Sequence, residues 1–249
     1  TVEAARNIEF TTGDGINFEG DGDVKLYAGG HIISADRGKQ NPTVSTLRGD
    51  IIMEAGSDDS GVGINVGYLH VGASGLDYPG EIRLSTTDGG DITTGHLRVM
   101  GNGYGSIYAF SSGNLTINGS SDLQGAVWIN TNDVPAGEDA YSFLCLTAEE
   151  DVTINDGDIR VEAHGNIQSV ASIWIGAGTD EQAGTGTVTV NGNLEADASS
   201  PGSGFVKSEA TIKVYGSTIS LNGNEKPHAH GVNVGVQTSD TSTTPLKDE

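Results

Sequence analysis

The sequence predicts an all-β fold, a parallel β-helix or solenoid, on three observations. A short phrase recurs along most of the chain: a glycine, then Asp, Asn or Glu, then an alternating apolar run. The chain also aligns with itself at long, drifting offsets. Finally, 38 of 249 residues are glycine, about twice ordinary usage, and glycine is a poor helix former. No stretch holds apolar residues at helical spacing for long, so little or no helix is expected.

The phrase appears as Gly22-Asp23-Val24-Lys25-Leu26, Gly49-Asp50-Ile51-Ile52-Met53 and Gly80-Glu81-Ile82-Arg83-Leu84. It returns as Gly90-Asp91-Ile92, Gly113-Asn114-Leu115-Thr116-Ile117, Gly157-Asp158-Ile159-Arg160-Val161 and Gly192-Asn193-Leu194. Glycine breaks the chain, the small polar residue turns it, and the alternation makes a short strand with one buried face. Clean period-two alternation marks strands at 24–27, 51–54, 64–66, 68–71, 82–84, 97–99, 107–110, 115–117 and 127–129. Further strands follow at 143–146, 152–154, 159–161, 173–175, 188–190, 212–214, 219–221 and 232–236. A hydrophobic content of 35% suits a narrow solenoid, in which one strand face looks inward and the other meets water. Aromatic content of 6% suits an interior filled by stacked Val, Ile and Leu. A β-sandwich shares the short strands but rarely the self-similarity, and the signatures of a propeller are absent.

Leu84, Ile92, Gly95, Arg98 and Val99 match Leu146, Ile154, Gly157, Arg160 and Val161 at one constant offset. Ser106-Ile107-Tyr108 matches Ser172-Ile173-Trp174 at a longer offset, and 114–119 matches 187–192 at a longer one still. The drift places insertions between strands, where solenoid loops tolerate them. At about 20 residues per coil the echo spans three coils, and the chain holds roughly 10–12. A fainter echo pairs 63–67 with 231–235. The sequence divides into one β-helical domain, 1–236, and a polar C-terminal extension or linker, 237–249.

The strings GDVKLYAGGHI, GDIIMEAG, GNLTINGS and GDIRVEAHGNI resemble the shaft repeats of filamentous-haemagglutinin-type exoproteins and related autotransporter passengers. The resemblance covers roughly residues 20–235 and lies in repeat style. It implies a right-handed β-helix, secreted or displayed at a cell surface, serving as a bacterial adhesin or an extracellular fibre.

Charge narrows the partners. Twelve Lys and Arg against 34 Asp and Glu give a net charge of −22, which repels nucleic acid and anionic membrane surfaces. No segment is apolar for long enough to insert in a membrane. The acidic residues read first as turn formers and solvated strand faces. The sharper reading is calcium, since hard oxygen ligands crowd the turns. The candidate ligands are Asp21 with Asp23, Asp58 with Asp59, and Asp156 with Asp158. None has EF-hand or nonapeptide spacing, and no cofactor is required by the fold.

Other residues carry weaker signals. Cys145 has no second cysteine to pair with, and the sequence suggests a core position. The repeat-equivalent Arg98 and Arg160 read as a surface ladder rather than a catalytic base. His228 and His230 lack an obvious third metal ligand, and a turn beside Pro227 accounts for them. Asn114 and Asn118 stand in N-glycosylation sequons, as chance matches would in such a composition. The expected function is therefore non-catalytic: a structural subunit of a secreted filament or surface layer, partnered by itself as a homopolymer through its solenoid ends. The alternative is a monomeric adhesin segment binding glycans or a host surface. A second alternative is a polysaccharide-active β-helix enzyme, for which the fold alone is no warrant.

Overall fold

The computed structural model describes residues 1–10, 16–34, 44–77, 79–120, 125–131, 138–178, 185–199, 207–229 and 233–239. These form 25 strands and no helix. The first coil is β1 (Val2–Ala4), β2 (Ile8–Phe10) and β3 (Ile16–Asp21), and the second β4 (Val24–Ala28), β5 (Ile32–Ser34) and β6 (Val44–Arg48). The third is β7 (Ile51–Ala55), β8 (Val62–Asn65) and β9 (Leu69–Asp77), and the fourth β10 (Gly80–Thr86), β11 (Asp91–Thr94) and β12 (Leu97–Asn102). The fifth is β13 (Tyr104–Ser111), β14 (Leu115–Asn118) and β15 (Val127–Thr131), and the sixth β16 (Ala140–Ala148), β17 (Val152–Asn155) and β18 (Ile159–Ala163). The seventh is β19 (Gln168–Ala177), β20 (Thr187–Val190) and β21 (Leu194–Ala198), and the eighth β22 (Lys207–Tyr215), β23 (Thr218–Leu221) and β24 (Glu225–Ala229). A last strand, β25 (Asn233–Ser239), opens a ninth.

Every third strand pairs in parallel. The first strands of the coils make a nine-stranded sheet A, the second an eight-stranded sheet B, and the third an eight-stranded sheet C. This is a parallel β-helix. It has eight complete coils rather than 10–12, because each coil is longer than the short repeat expected from the sequence. Val2 pairs with Leu26 and Ile173 with the more distant Ile212, whereas Ile212 pairs with the nearer Val236, so coil length varies along the chain. Each coil holds three strands and carries its insertions between them. The sequence echo therefore spans two coils, not three: Leu84 stacks through Ala109 onto Leu146, and Val99 through Ile129 onto Val161. One matched pair slips by two positions, for Ile92 stacks through Leu115 onto Val152 rather than Ile154. The faint echo does not share a sheet, since Asn65 lies in β8 and Asn233 in β25. Strand β25 continues to Ser239, past the expected boundary at 236; residues 240–249 lie outside the described ones.

Inward positions stack like on like. Val24, Ile51, Ile82, Ile107, Leu144, Ile173 and Ile212 form one column of sheet A. Ile32, Ile64, Ile92, Leu115, Val152 and Val188 form one of sheet B, and Val71, Val99, Ile129, Val161 and Ala196 one of sheet C. From the second coil to the eighth these side chains are almost wholly buried. Branched side chains suit a pleated surface, and each removes its apolar area from water against the coils on either side.

The recurring Gly-Asx phrase works at the corners. Where the chain enters sheet A, Asp23 Oδ1 accepts the Asp50 N–H at 3.0 Å, and Asp50 Oδ1 the Glu81 N–H at 3.0 Å. Before sheet B, Asp91 accepts the Asn114 N–H at 2.7 Å, Asn114 the Asp151 N–H at 3.2 Å, and Asp151 the Thr187 N–H at 2.7 Å. Before sheet C, Asp158 accepts the Asn193 N–H at 2.9 Å and Asn193 the Asn224 N–H at 3.0 Å. At the far end of sheet B, the amides of Asn118, Asn155, Asn191 and Asn222 form their own ladder. Both sequon asparagines thus serve as rungs. The glycine beside each ladder is required by contact. A Cβ on Gly192 would lie 2.1 Å from the Gly157 carbonyl oxygen, and one on Gly49, whose φ is +117°, 2.4 Å from that of Gly22.

Ile154→Asp and Val161→Asp each bury an unpaired charge in the core column. Each should lower unfolding stability by about 3 kcal/mol or more, read from the urea midpoint. Asp158→Ala removes two hydrogen bonds to Asn193. It should cost about 1–3 kcal/mol in the same measurement.

Candidate functional site

The expected calcium ligands do not gather. Asp21 faces Arg48 Nη1 at 3.4 Å with a largely exposed carboxylate. Asp23 contacts Lys25 Nζ at 2.8 Å, and this hydrogen bond together with that from the Asp50 N–H lowers its pKa. Asp58 accepts from the Ser60 hydroxyl and N–H and from the Val62 N–H, and His31 Nδ1 lies 3.1 Å away. The Ser60 hydroxyl is the main reason its pKa falls to about 2. Asp59 is exposed in the same turn. Asp156 takes a left-handed φ of 54° before Gly157, and Asp158 holds Asn193, with Arg160 at 3.8 Å. Among the described residues, no group of three His, Cys, Asp or Glu side chains is placed to hold a metal ion.

Sheet A is different. Of seven tyrosines, five phenylalanines and two tryptophans in the chain, eight rings lie at outward positions of this one sheet: Tyr27, Tyr104, Tyr108, Phe110, Tyr141, Phe143, Trp174 and Tyr215. The alternation that sends Ile107, Leu144 and Ile173 inward necessarily sends their neighbours outward. Cys145 belongs to this outer set. Leu144 and Leu146 fill the core on either side of it, and Cys145 is half-buried on the outer face, not in the core. Register gives two adjacent columns. One runs Arg83, Tyr108, Cys145, Trp174, Lys213; the other runs Ser85, Phe110, Thr147, Gly176, Tyr215.

The rings pair on this face, where Tyr215 is itself buried. Tyr108 and Phe110 stack at 6.4 Å and 8°, Tyr141 and Phe143 at 6.3 Å and 11°, and Trp174 meets Tyr215 edge-on at 6.1 Å. Tyr215 folds back over Gly176, where a Cβ would collide with its ring. Arg83 caps Tyr108 at 5.8 Å and Lys213 caps Trp174 at 5.6 Å. Burial, and then the 3.3 Å contact with the Tyr104 hydroxyl, raise the Tyr108 pKa, so this phenol stays neutral. A cavity of about 510 Å³ opens on this face; Phe110, Cys145, Thr147, Glu149, Trp174 and Tyr215 line it. Phe110 is 44% exposed, an unusual position for so apolar a side chain.

No protein-family model matches the chain, and no curated protein or solved structure does either.

Sheet C carries a second cluster. Arg98 and Arg160 do stand in one column, with Trp128 between them, and the Arg98 guanidinium lies 4.4 Å from the Trp128 ring centre. Beside it, Tyr68 packs against His70 and His96. His96 is 2% exposed and donates from Nδ1 to the Gly125 carbonyl at 2.7 Å. Burial is the main cause that holds both imidazoles near pKa 4, and the nearby Arg98 charge adds to it. His228 lies in β24 rather than in a turn, and His230 is outside the described residues.

The sequence signal for the aromatic face was the phase of the alternation. Tyr104, Tyr108 and Phe110 fall at even spacings from one another, out of phase with Ile107 and Ala109. The histidine pair gives a pH expectation. The unfolded chain protonates each imidazole as pH falls through about 6.5, but the folded chain resists until about 4. The stability involved is complete above 6.5 and is lost on the way down to 4, up to about 3 kcal/mol per histidine. Between pH 7.5 and 4.5 the wild type should therefore lose roughly 1–3 kcal/mol more than His96→Asn. That variant keeps a donor for Gly125 and has no titrating ring. Urea midpoints at the two pH values supply the comparison.

Proposed function

We propose that this β-helix is a non-catalytic extracellular structural protein of the adhesive kind, a monomeric segment that binds glycans along its flank. One observation carries this: the aromatic face of sheet A, with its rings held outward by the core alternation and its cations set as caps on Tyr108 and Trp174. Aromatic rings flanked by hydroxyls and carboxylates form a surface suited to polyhydroxylated ligands, since a large apolar body and polar tips are presented together. The resemblance of the repeats to adhesin shafts supports the same reading, including its secreted or cell-surface location. The charge of −22 favours an uncharged or cationic partner over nucleic acid or anionic lipid.

Assembly into a filament through the ends is the second reading. Among the described residues β1, β2 and β3 close one end of the sheets and β25, β23 and β24 the other, each paired on one side only. Such strands invite strand addition. Calcium then enters as a bridge between acidic subunits rather than as a cofactor of one. Like charges oppose this assembly, and salt would screen them over about 8–10 Å.

Sedimentation across concentration, in low salt, in 0.15 M NaCl and with millimolar Ca²⁺ at matched ionic strength, separates the two. The flank reading expects a monomer throughout and retarded migration in gels containing a polysaccharide. Concentration-dependent fibres promoted by Ca²⁺ would establish assembly in its place.

A further inference from the structure

The cavity on sheet A has a construction that narrows its ligand. In the first outward column, Tyr108 stands in β13 and Trp174 in β19, with the small Cys145 of β16 between them. In the second, Phe110 stands in β13, Thr147 in β16, and the position in β19 is Gly176. Tyr215, one coil further on, lays its ring over that glycine. The result is a slot with an aromatic wall on each side. Phe110 forms one, with Tyr108 stacked beside it outside the cavity; Trp174 forms the other, with Tyr215 set edge-on against it; Cys145 and Thr147 are the floor.

Parallel strands lie about 4.8 Å apart, so walls two strands apart are separated by roughly 9.6 Å. A flat ring in contact with both walls would need only about 7–8 Å, at ordinary carbon–carbon contact distances. The excess of about 1.6–2.6 Å matches the C–H bonds that a puckered saturated ring presents on both faces. The slot therefore suits a pyranose better than a nucleobase or an aromatic side chain. Its width is fixed by the β-sheet itself rather than by loop conformation.

Charge selects among sugars. Glu149 lines the slot, and the whole chain carries −22. A uronate or sulfated residue would meet like charge at both ranges. The same field opposes a second copy of this chain as the occupant. Arg83 and Lys213 lie beyond the two walls, as caps on Tyr108 and Trp174, and Arg83 also pairs with Glu81 at 2.8 Å. They stiffen the walls and are poorly placed to neutralise an acid in the slot.

The geometry points to a sugar-binding subsite in which one uncharged pyranose unit of a polysaccharide is clamped between Phe110 and Trp174 with Tyr215, above Cys145 and Thr147. This rests on the flank-binding reading and adds to it the subsite and the ligand class. Hydrogen bonds from the sugar hydroxyls go to the Thr147 hydroxyl and the Glu149 carboxylate at the rim. Binding needs no ion pair, so added salt should leave it unchanged.

The test uses the full chain in affinity electrophoresis and titration calorimetry. Laminarin and hydroxyethylcellulose serve as neutral probes and polygalacturonate as the anionic one. Variants are Phe110→Ala, Trp174→Ala and Cys145→Leu, the last filling the floor without removing a wall; Tyr141→Ala is a control on the same face outside the slot. All four side chains point outward, and thermal midpoints check that each variant folds. The expected result is retardation by a neutral probe and not by polygalacturonate, unchanged between 0.05 and 0.5 M NaCl. Affinity should fall at least tenfold in the three slot variants and less than twofold in Tyr141→Ala. A shift of tryptophan emission on binding, retained in Trp128→Phe, places the sugar at Trp174. Neutral-glycan binding that survives all three slot variants overturns the subsite and leaves the flank reading standing. Binding of polygalacturonate alone overturns the ligand class and leaves the flank reading standing. Retardation by no probe overturns both.

Discussion

Everything in this molecule depends on the distance between one coil and the next. Parallel strands pair at about 4.8 Å, and a β-helix imposes that spacing on its corners as well as on its strands. At a corner the backbone cannot use the regular ladder, and two chains must pass almost in contact. Glycine solves the steric part: the Gly192 and Gly157 backbones approach so closely that no Cβ fits. The neighbouring Asp or Asn solves the polar part. Its side-chain oxygen reaches one coil along and accepts the N–H that the turn leaves without a strand partner, as Asp91 does for Asn114 and Asn193 does for Asn224. The recurring phrase is thus the chemistry of a stacked corner.

That constraint also fixes what the outer faces can display. In sheet A the strands pair without a register shift, so each outward residue within it stands in a column with equivalents above and below it. A side chain is then a member of a surface pattern spaced by the sheet. Cations alternating with rings, as Arg98 with Trp128 or Lys213 with Trp174, are the local consequence. A slot between two rings arises when one coil carries small side chains, here Cys145 and Thr147, between two coils that carry large ones. Its walls and floor stand on strands, and Ser112, Glu149 and Gly178 at its rim belong to the corners. This distinguishes a flank site from a loop-built pocket, whose shape would depend on segments that vary in length from coil to coil.

The sequence revealed the parts of this arrangement that repeat in kind. The Gly-Asx corners and the Val, Ile and Leu columns were legible because the same residue types return at each coil. Strands whose inward positions hold small or polar residues were not: β21 fills its inner face with Leu194, Ala196 and Ala198, and β11 with Ile92 and Thr94. Counting coils failed for a related reason. A corner is recognisable wherever it occurs, but nothing in it says how many corners make one turn, and insertions of different length blur the period. Cys145 was misplaced because its hydrophobic character suggested the core, although the phase set by Leu144 and Leu146 sends it outward. The aromatic face stayed hidden because it is a property of register across coils. Tyr108 and Trp174 are distant in the chain, and only the pairing of β13, β16 and β19 shows them flanking one gap.

The acidic composition takes its meaning from the same geometry. A charge of −22 suggests either a cation store or a repulsive coat. The carboxylates of Asp23, Asp50, Asp91, Asp151 and Asp158 are instead occupied in accepting N–H groups from the next coil. Asn does the same work at Asn114 and Asn193 without charge. A ladder of identical carboxylates would bring like charges close together at every step. At the corner before sheet B, Asn114 stands between Asp91 and Asp151 and donates its amide to Asp91, which relieves that repulsion at this corner; before sheet A, Asp23, Asp50 and Glu81 follow one another without such a break. Before sheet C, Asp158 gives way to Asn193 and then Asn224. At these two corners the mixture of Asp and Asn is therefore not degeneracy. It allows a stacked corner to keep its hydrogen bonds while limiting the charge it accumulates.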